Sequence, residues 1–496
     1  QTVTVTPSGG SASTVVVDLS AGNVKLDLVN GSLLRTSGHL TLVSGVANAE
    51  LLGAANLNLT GNDLANQLTG NSGNNVIRAG LGNDVVVTGN GADYVYDHGG
   101  DDLVNLGDGN DYVMVGGGKD TIAGGTGIDT INYFYSNGGV TVDLLTNALA
   151  GGWAADDAIS GFERAVGSNA FGDQLRGTNG SNVLLGYGGN DLIYDRAGND
   201  YVDLGDGNDY VLAGNGVDTY HGGNGTDTIS YYHSSAGVRI DLASNVLAGG
   251  WAADDTITGF ERADGSNTGH DTIMGTAGDN VIRTYGGNDL VYDRGGNDLV
   301  NLGDGNDSII VGGGADTIGG GNGIDEISYF YAASGVNVDL ATNALSGGWA
   351  ADDVISGFER VSGSNAGGDT LAGSAGANIL RGNGGADSLD GRGGADILDG
   401  GTGNDTLTGG TGADNFVFRI GYQADRVSDF LLAEADILML DDALWAGMGA
   451  LSAAQVVSTF ASVVGSDVLF DFGGGNTLTL AGLTDTTGID GQIIFI

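Results

Sequence analysis

Aspartate recurs at every ninth residue in four separate runs of this chain, so its carboxylates are the first candidates for chemistry. The surrounding pattern is Gly-Gly-x-Gly-x-Asp-x-(apolar)-x, clearest in GGTGIDTIN (124–132), GGNGTDTIS (222–230) and GGTGNDTLT (400–408). A merely solvated acidic surface has no reason to keep this register with glycine. The aspartates in register are Asp84, Asp93, Asp102, Asp111, Asp120, Asp129, Asp191, Asp200, Asp209, Asp218, Asp227, Asp289, Asp298, Asp307, Asp316, Asp325, Asp387, Asp396, Asp405 and Asp414.

The chemistry that these residue types favour is binding of a hard cation. Two carboxylates about 5 Å apart repel by roughly 1 kcal/mol in water and by about 3–4 kcal/mol at an effective dielectric near 20. Calcium accepts six to eight flexible oxygen ligands, whereas magnesium demands a tighter octahedron. Carbonyl groups of the glycine turns would add ligands to the carboxylates. These glycines are Gly107, Gly109, Gly125, Gly127, Gly205, Gly207, Gly223, Gly225, Gly303, Gly305, Gly321, Gly323, Gly401 and Gly403.

The elements that position these aspartates are very short strands. The residue two positions after the aspartate is usually apolar, as in Ile131, Ile229 and Leu407. One strand therefore follows each glycine turn, and two nonapeptides make one 18-residue coil of a parallel solenoid. Aspartates 18 apart then stack, with coils about 4.8 Å apart. Pairing them in this way predicts about 12 calcium ions or more.

A second period of 98 residues divides the chain into modules. The segment GGWAADD contains Trp153, Trp251 and Trp349, and GFER recurs at 161–164, 259–262 and 357–360. We predict modules at 71–169, 170–267 and 268–365, and a final repeat block at 366–415. The strand-like segment 1–70 precedes them and is a candidate for assembly or anchoring. A β-rich cap follows at 416–496, with a short helix near 441–460.

The nonapeptides resemble the hemolysin-type calcium-binding repeat, known as the RTX repeat. The resemblance covers about residues 80–130, 186–230, 284–328 and 382–415, and it implies an all-β fold, a right-handed parallel β-roll. Spacers such as 334–380 are expected to continue the solenoid as wider coils. Tyr187, Tyr285 and Arg196 replace turn glycines, which weakens the expectation of calcium at those turns.

The C-terminal tail also carries a resemblance. FVF (416–418), DRVSDF (425–430) and DILML (436–440) resemble the cap and secretion segment of proteins exported by type I secretion. This implies export without a cleaved N-terminal signal, to the extracellular space or the cell surface, and a fold that waits for external calcium.

Composition excludes several classes of function. The net charge is -46, and 16 basic residues cannot build a nucleic-acid-binding patch. No run of 18 apolar residues is present, so we expect no membrane insertion. The chain has no cysteine, and therefore neither disulfides nor thiolate metal sites.

The spacers leave alternatives open. Their paired aspartates are either further calcium ligands or plain turn residues. Their tryptophans either form a sugar-binding ladder, or plug the wider coils or pack between modules. The Glu–Arg pair of GFER, as in Glu163–Arg164, is interpreted as a structural ion pair. The paired aspartates are Asp156, Asp157, Asp254, Asp255, Asp352 and Asp353.

The sequence favours a structural function over catalysis. It contains neither a His-Glu-x-x-His motif nor a Gly-x-Ser-x-Gly elbow, and we predict no enzyme activity. The leading hypothesis is a secreted calcium-binding scaffold of a bacterial surface layer, fibre or matrix, which self-associates into filaments or arrays and has cell-surface polysaccharide as a candidate partner. The alternatives are the calcium-binding and secretion portion of a larger adhesin or toxin, and a carbohydrate-active enzyme.

Overall fold

The computed structural model describes residues 2–5, 13–17, 26–29, 33–42 and 45–496. These residues form short β-strands joined by turns, together with one α-helix, Ala453–Phe460, and several 3-10 turns. The chain divides into two compact units: residues 1–233 with 251–260, and residues 234–250 with 261–496. Within the described ranges, no helix is both long and apolar enough to cross a membrane.

The strands pair in parallel with a register of 18 residues, as the nine-residue period predicts. Tyr94 pairs with Tyr112, and Val95 pairs with Val113. Two nonapeptides therefore make one coil, and the predicted all-β parallel solenoid is confirmed. An apolar residue near the middle of most of these strands faces inward, so Val95 and Val113 are fully buried while their neighbours in sequence are not. Such strands are stable only because successive coils stack.

The first unit contains three sets of hydrogen-bonded strands. Thirteen strands form one sheet, in the order Thr2–Val5, Ser13–Val17, Leu40–Thr41, Asn58–Thr60, Val76–Leu81, Tyr94–Gly99, Tyr112–Met114, Thr130–Asn132, Arg164–Val166, Val183–Leu185, Tyr201–Gly207, Thr219–Gly225 and Thr256–Thr258. Eight form a second sheet, in the order Ala158–Ser160, Thr121–Ala123, Leu103–Asn105, Val85–Val87, Gln67–Thr69, Asn48–Leu51, Leu33–Thr36 and Leu26–Val29. The third set is Ala148–Ala150, Thr141–Asp143, Gln174–Arg176, Leu192–Tyr194, Tyr210–Leu212 and Thr228–Ser230.

The second unit repeats this arrangement. One set is Arg262–Asp264, Val281–Arg283, Leu299–Asn301, Thr317–Gly319 and Val354–Ser356. Twelve strands form a sheet in the order Val246–Ala248, Arg239–Asp241, Thr272–Met274, Leu290–Tyr292, Ser308–Ile310, Glu326–Ser328, Arg360–Ser362, Ile379–Arg381, Ile397–Asp399, Asn415–Phe418, Ile437–Leu440 and Ile493–Phe495. Nine form another, in the order Ala344–Ser346, Asn337–Asp339, Thr370–Ala372, Ser388–Asp390, Thr406–Thr408, Ala424–Val427, Asn476–Leu480, Asp467–Gly473 and Ala461–Val464.

The spacers form wider coils, which confirms the expectation from the 98-residue period. In the first spacer Thr121 pairs with Ala158, and Thr130 pairs with Arg164, both in parallel. The extra residues fold into an antiparallel hairpin of Thr141–Asp143 with Ala148–Ala150. Thr141–Asp143 also pairs with Gln174–Arg176 and so starts a new parallel set.

The 3-10 turns lie at Gly152–Ala154, Gly250–Ala252, Gly348–Ala350, Leu432–Glu434, Asp442–Trp445 and Ile489–Gln492.

The C-terminal segment covers the open end of the second unit's coils. The predicted strands are present, and the short helix expected near 441–460 begins at Ala453, after the 3-10 turn Asp442–Trp445. Trp445 and Phe470 are buried there in an aromatic cluster. Strands predicted in the first 60 residues are also present where that segment is described; the rest of it lies outside the described residues.

Candidate metal-binding rows

Glycine turns bring successive coils into close contact and so align the aspartates. Gly107 and Gly125 have φ angles of +93° and +109°, a region that favours glycine. A Cβ atom added to Gly125 would lie 1.9 Å from the Gly107 carbonyl oxygen. Any side chain at this position would therefore push neighbouring coils apart.

The aspartates predicted as metal ligands are brought together in stacked rows, and all of them are buried. The exposed fraction of each of the twenty side chains is 4% or less. In every case one carboxylate oxygen, Oδ1, accepts the backbone N–H of the residue 18 positions earlier, over 2.6–2.9 Å. The Asp93 N–H, for example, donates to Asp111, and the Asp111 N–H donates to Asp129. Each carboxylate thus joins its coil to the preceding one.

The second oxygen of these carboxylates is left without a protein partner. Eighteen of the twenty, a set that leaves Asp218 and Asp227 aside, have a buried Oδ2 that makes no hydrogen bond among the described residues. A buried polar atom without a partner costs about 1–3 kcal/mol, and an unpaired charge costs more. Eighteen such atoms in register are far more than a folded chain leaves unsatisfied by accident. These oxygens need a ligand that the polypeptide does not supply.

Electrostatics shows what kind of ligand is needed. Burial is the main cause that raises the pKa of Asp102 and Asp111 to about 7 and that of Asp200 to about 8. Carboxylates of neighbouring coils raise these pKa values further, against the lowering effect of the backbone N–H groups. Each row therefore requires positive charge to ionise fully. The available metal ligands are all oxygen atoms, which calcium prefers, so these residues fit a calcium ion.

The rows extend beyond the predicted aspartates. Asp173, Asp271 and Asp369 hold the corresponding place 18 residues before Asp191, Asp289 and Asp387, and donate their N–H groups to them. The nine-residue period of aspartates does not include them, because asparagine follows nine residues later and interrupts the run. An 18-residue search would have found them. Other rows begin with an amide in the carboxylate's place, at Asn66, Asn75, Asn182, Asn280 and Asn378.

Acidic side chains of the spacers accept the backbone N–H groups of the last aspartates in each row. The Asp120 N–H donates to Asp157 over 2.8 Å, and the Asp129 N–H donates to Glu163 over 2.9 Å. The predicted Glu163–Arg164 ion pair is wrong. The wider coil places the glutamate at the end of the row, where its longer side chain reaches the free N–H. In sequence these partners are 37 and 34 residues apart instead of 18, because the inserted hairpin lies between them.

The paired aspartates of GGWAADD have separate roles. The first of each pair, as in Asp156, is exposed in a turn with positive φ. The second belongs to a row, and its other oxygen accepts a buried tyrosine hydroxyl. Tyr133 donates to Asp157 over 3.1 Å, and Tyr329 donates to Asp353 over 2.9 Å. Both oxygens of Asp157 and of Asp353 thus have protein partners, and calcium binding by the paired aspartates stays a prediction.

The spacer tryptophans contact the adjacent coil. A Cβ atom added to Gly117 would lie 3.3 Å from Trp153 Nε1, and one added to Gly313 would lie 3.4 Å from Trp349 Nε1. The indole rings therefore pack directly on the backbone of Gly117 and Gly313, which have no side chain to separate them from the rings. This contact agrees with the packing alternative, and the sugar-binding alternative stays a prediction.

The arginine at one turn position, Arg196, is held by an ion pair. Arg196 has a φ of +73° and donates from both terminal nitrogens to Asp143, over 2.8 Å each. Although burial opposes it, this pairing lowers the pKa of Asp143 to about 2. The pair joins the spacer hairpin to the repeat block that follows and offsets the cost of the left-handed backbone, about 1–2 kcal/mol.

Comparison with known proteins places these repeats in a family. The model of the RTX calcium-binding nonapeptide repeat (4 copies) matches residues 60–95, 96–131, 169–202, 176–211, 194–229, 266–300, 292–327, 364–398 and 390–421, slightly more than half of the chain. No curated protein matches. Among solved structures the chain is similar to the extracellular lipase LipA from Serratia marcescens, with 20% identity over 46% of this chain and 40% of that chain; a TM-score of 0.22 carries no argument about activity. On the evidence of its nonapeptides, the chain belongs to the RTX calcium-binding repeat family.

Proposed function

We propose that this chain binds calcium ions along its aspartate rows and that these ions hold the coils together. The observation that carries the proposal is the set of eighteen buried Oδ2 atoms without a hydrogen-bond partner among the described residues. A cation between successive coils supplies both the missing contact and the missing charge. The free energy of calcium binding is then part of the free energy of folding.

Chelation tests this proposal on the full chain. We expect removal of calcium to abolish most of the β-strand signal in circular dichroism, and readdition to restore it. Elemental analysis of the refolded protein is expected to give about 12 bound calcium ions or more. A β signal that persists in metal-free buffer at pH 8, with no bound ion, would contradict the proposal.

We further propose that the protein is secreted and folds only outside the cell. The type I secretion-like tail and the family's calcium chemistry support this. Extracellular calcium modules bind with dissociation constants of about 10⁻⁴–10⁻³ M. A calcium titration followed by circular dichroism is expected to give a folding midpoint in that range. A midpoint near 10⁻⁷ M would count against folding that waits for export, because such a chain would fold before secretion.

We also propose that the folded chain is a scaffold that self-associates into a surface layer, fibre or matrix. Equivalent surfaces recur every 98 residues, and each of two spacers exposes an aromatic side chain: Tyr135 is 62% exposed and Tyr331 is 61% exposed. Exposed aromatic residues are typical of association surfaces. Negative-stain microscopy in millimolar calcium is expected to show filaments or arrays, and Tyr135→Ser with Tyr331→Ser to reduce them. Protein that stays monomeric at high concentration would contradict the scaffold function.

A further inference from the structure

Three aspartates occupy a position inside the coils where the other nonapeptides have glycine, threonine or an apolar residue. Asp97, Asp195 and Asp293 each fill the first position of a repeat unit, where Leu106 and Val115 are typical of the neighbouring units. All three aspartates are 0% exposed. They are 98 residues apart, so the substitution recurs once in each module. A carboxylate at an interior apolar position is costly unless something neutralises it.

Each interior aspartate is aimed at two carboxylates of an adjacent row. One oxygen of Asp97 lies within 4.8 Å of an oxygen of Asp102 and of one of Asp120, and these two also lie within 4.8 Å of each other. The backbone N–H of Gly116 donates to Asp97 Oδ1 and fixes its orientation. The Oδ2 atoms of Asp97, Asp102 and Asp120 are buried and accept no hydrogen bond among the described residues.

The third module contains the same cluster. Asp293 meets Asp298 and Asp316 within the same 4.8 Å limit, and the Gly312 N–H donates to Asp293 Oδ1. The three Oδ2 atoms again have no hydrogen-bond partner in the described ranges. Where the structure describes the chain, no lysine or arginine pairs with any of these six carboxylates. Burial and the charges of the other two aspartates both raise the pKa of Asp97 well above its usual value.

The spacing of these oxygens fits one cation. Calcium binds oxygen at about 2.3–2.6 Å, so ligands on opposite sides of the ion are separated by about 4.6–5.2 Å. Three carboxylates converging within 4.8 Å can therefore share a single ion. Magnesium would require opposite ligands only about 4.0–4.2 Å apart and would retain several waters, for which a dry interior has little room.

We propose that the Asp97–Asp102–Asp120 and Asp293–Asp298–Asp316 clusters each bind one calcium ion through three carboxylates, and that these ions are the most tightly bound in the chain. The proposal rests on the proposed function, because two members of each cluster belong to the calcium-binding rows. It adds a second kind of site, in which an interior side chain contributes a third negative charge. Greater ligand charge raises the affinity for calcium.

The second module contains a natural variant of this site. Tyr220 stands where the other modules have Ile122 and Ile318, and all three side chains are buried. The Tyr220 hydroxyl donates to Asp195 Oδ2 and, over 3.1 Å, to Asp218 Oδ2. The hydroxyl has one proton, which these two oxygens share, so both are less available to a cation. Asp195 Oδ1 and Asp200 Oδ2 stay buried without a hydrogen-bond partner among the described residues. Asp195, Asp200 and Asp218 also converge within 4.8 Å, and we expect this cluster to hold its ion less tightly than the other two.

Counting retained ions tests the proposal in the full chain. The protein is equilibrated with a calcium buffer at a free concentration so low that only the tightest sites stay occupied, and bound calcium is measured by elemental analysis. We expect Asp97→Asn with Asp293→Asn to retain two ions fewer than the parent. Tyr220→Ile is expected to retain one more, and Ile122→Tyr one fewer. Affinity at each altered site is expected to change about tenfold or more.

Asp63→Asn is the matched control, because it removes one exposed carboxylate outside the rows and is expected to leave the count unchanged. If the doubly substituted chain does not fold, the opposite changes expected of Tyr220→Ile and Ile122→Tyr decide the question. Unchanged ion counts in these variants, in a parent that binds calcium, would overturn the interior sites alone. A parent that binds no calcium would overturn the proposed function as well.

Discussion

The buried aspartate of each nonapeptide joins two coils through two different interactions. Its Oδ1 accepts a backbone N–H from the preceding coil, and its Oδ2 is left for a cation, as at Asp209, where the Asp191 N–H is the donor over 2.7 Å. The hydrogen bond requires only an acceptor, which an amide oxygen also provides. The cation requires the charge.

Two substitutions at Asp209 separate these interactions. Asp209→Asn keeps the acceptor for the Asp191 N–H and loses the charge, so we expect a folded protein with a higher calcium midpoint. Asp209→Ala also loses the acceptor, which leaves a buried N–H unpaired and costs about 1–3 kcal/mol more in the free energy of unfolding. Urea unfolding in saturating calcium measures the difference. Equal stability of the two variants would contradict a structural role for the hydrogen bond.

The raised carboxylate pKa values predict a pH dependence. Without calcium, burial raises the pKa of Asp111 and Asp307 to about 7 and that of Asp200 to about 8, against 3.8 as the reference value. The metal-free folded state therefore binds more protons than the unfolded state between about pH 4 and pH 8, and its stability falls as the pH rises through that window.

The corresponding measurement is circular dichroism in chelator at several pH values. We expect more β-strand signal in metal-free protein at pH 5 than at pH 8, and a calcium midpoint that falls as the pH rises from 5 to 8, because protons compete with the ion. A metal-free β signal that grows from pH 5 to pH 8 would show that the row carboxylates are not desolvated in the folded chain.

At the scale of the repeat unit, the glycine turn sets the distance between coils. Gly125→Ala places a methyl group 1.9 Å from the Gly107 carbonyl oxygen, whereas an alanine at Gly421 would meet no atom within 4 Å. Both positions have positive φ angles, of +109° and +89°, so both variants bear the cost of the left-handed backbone, about 1 kcal/mol. We expect Gly125→Ala to lose clearly more stability than Gly421→Ala in urea unfolding. Similar losses would mean that close stacking of the coils is unimportant.

The nine-residue period was enough to predict the coil but not every member of the site. The regular spacing of the aspartates from Asp84 onward predicts the 18-residue pairing, because coils of equal length place equivalent residues next to one another. Asp157 and Glu163 were not recognised as row members, because a folded hairpin lies between them and their partners. The nine-residue period of the row aspartates does not indicate Asp97, because the row aspartates hold the sixth position of the nonapeptide. Asp97 holds the first position, and its side chain lies beside the row.

At the scale of the whole molecule, charge and folding are coupled. The chain carries a net charge of -46, and its rows concentrate carboxylates at the spacing of successive coils. Repeat stability is a sum of neighbouring contacts, so loss of the ions weakens every coil at once. In chelator at pH 8 we expect the radius of gyration from X-ray scattering to approach the unfolded value for 496 residues, about 80 Å. A radius that does not change on chelation would contradict this coupling.

The most direct test of the account is a crystal structure of the protein grown with calcium, with anomalous scattering used to identify the ions. The account predicts anomalous peaks along each row, within about 2.3–2.6 Å of the Oδ2 atoms that have no protein partner. Rows in which these oxygens contact only water or other protein atoms would contradict it.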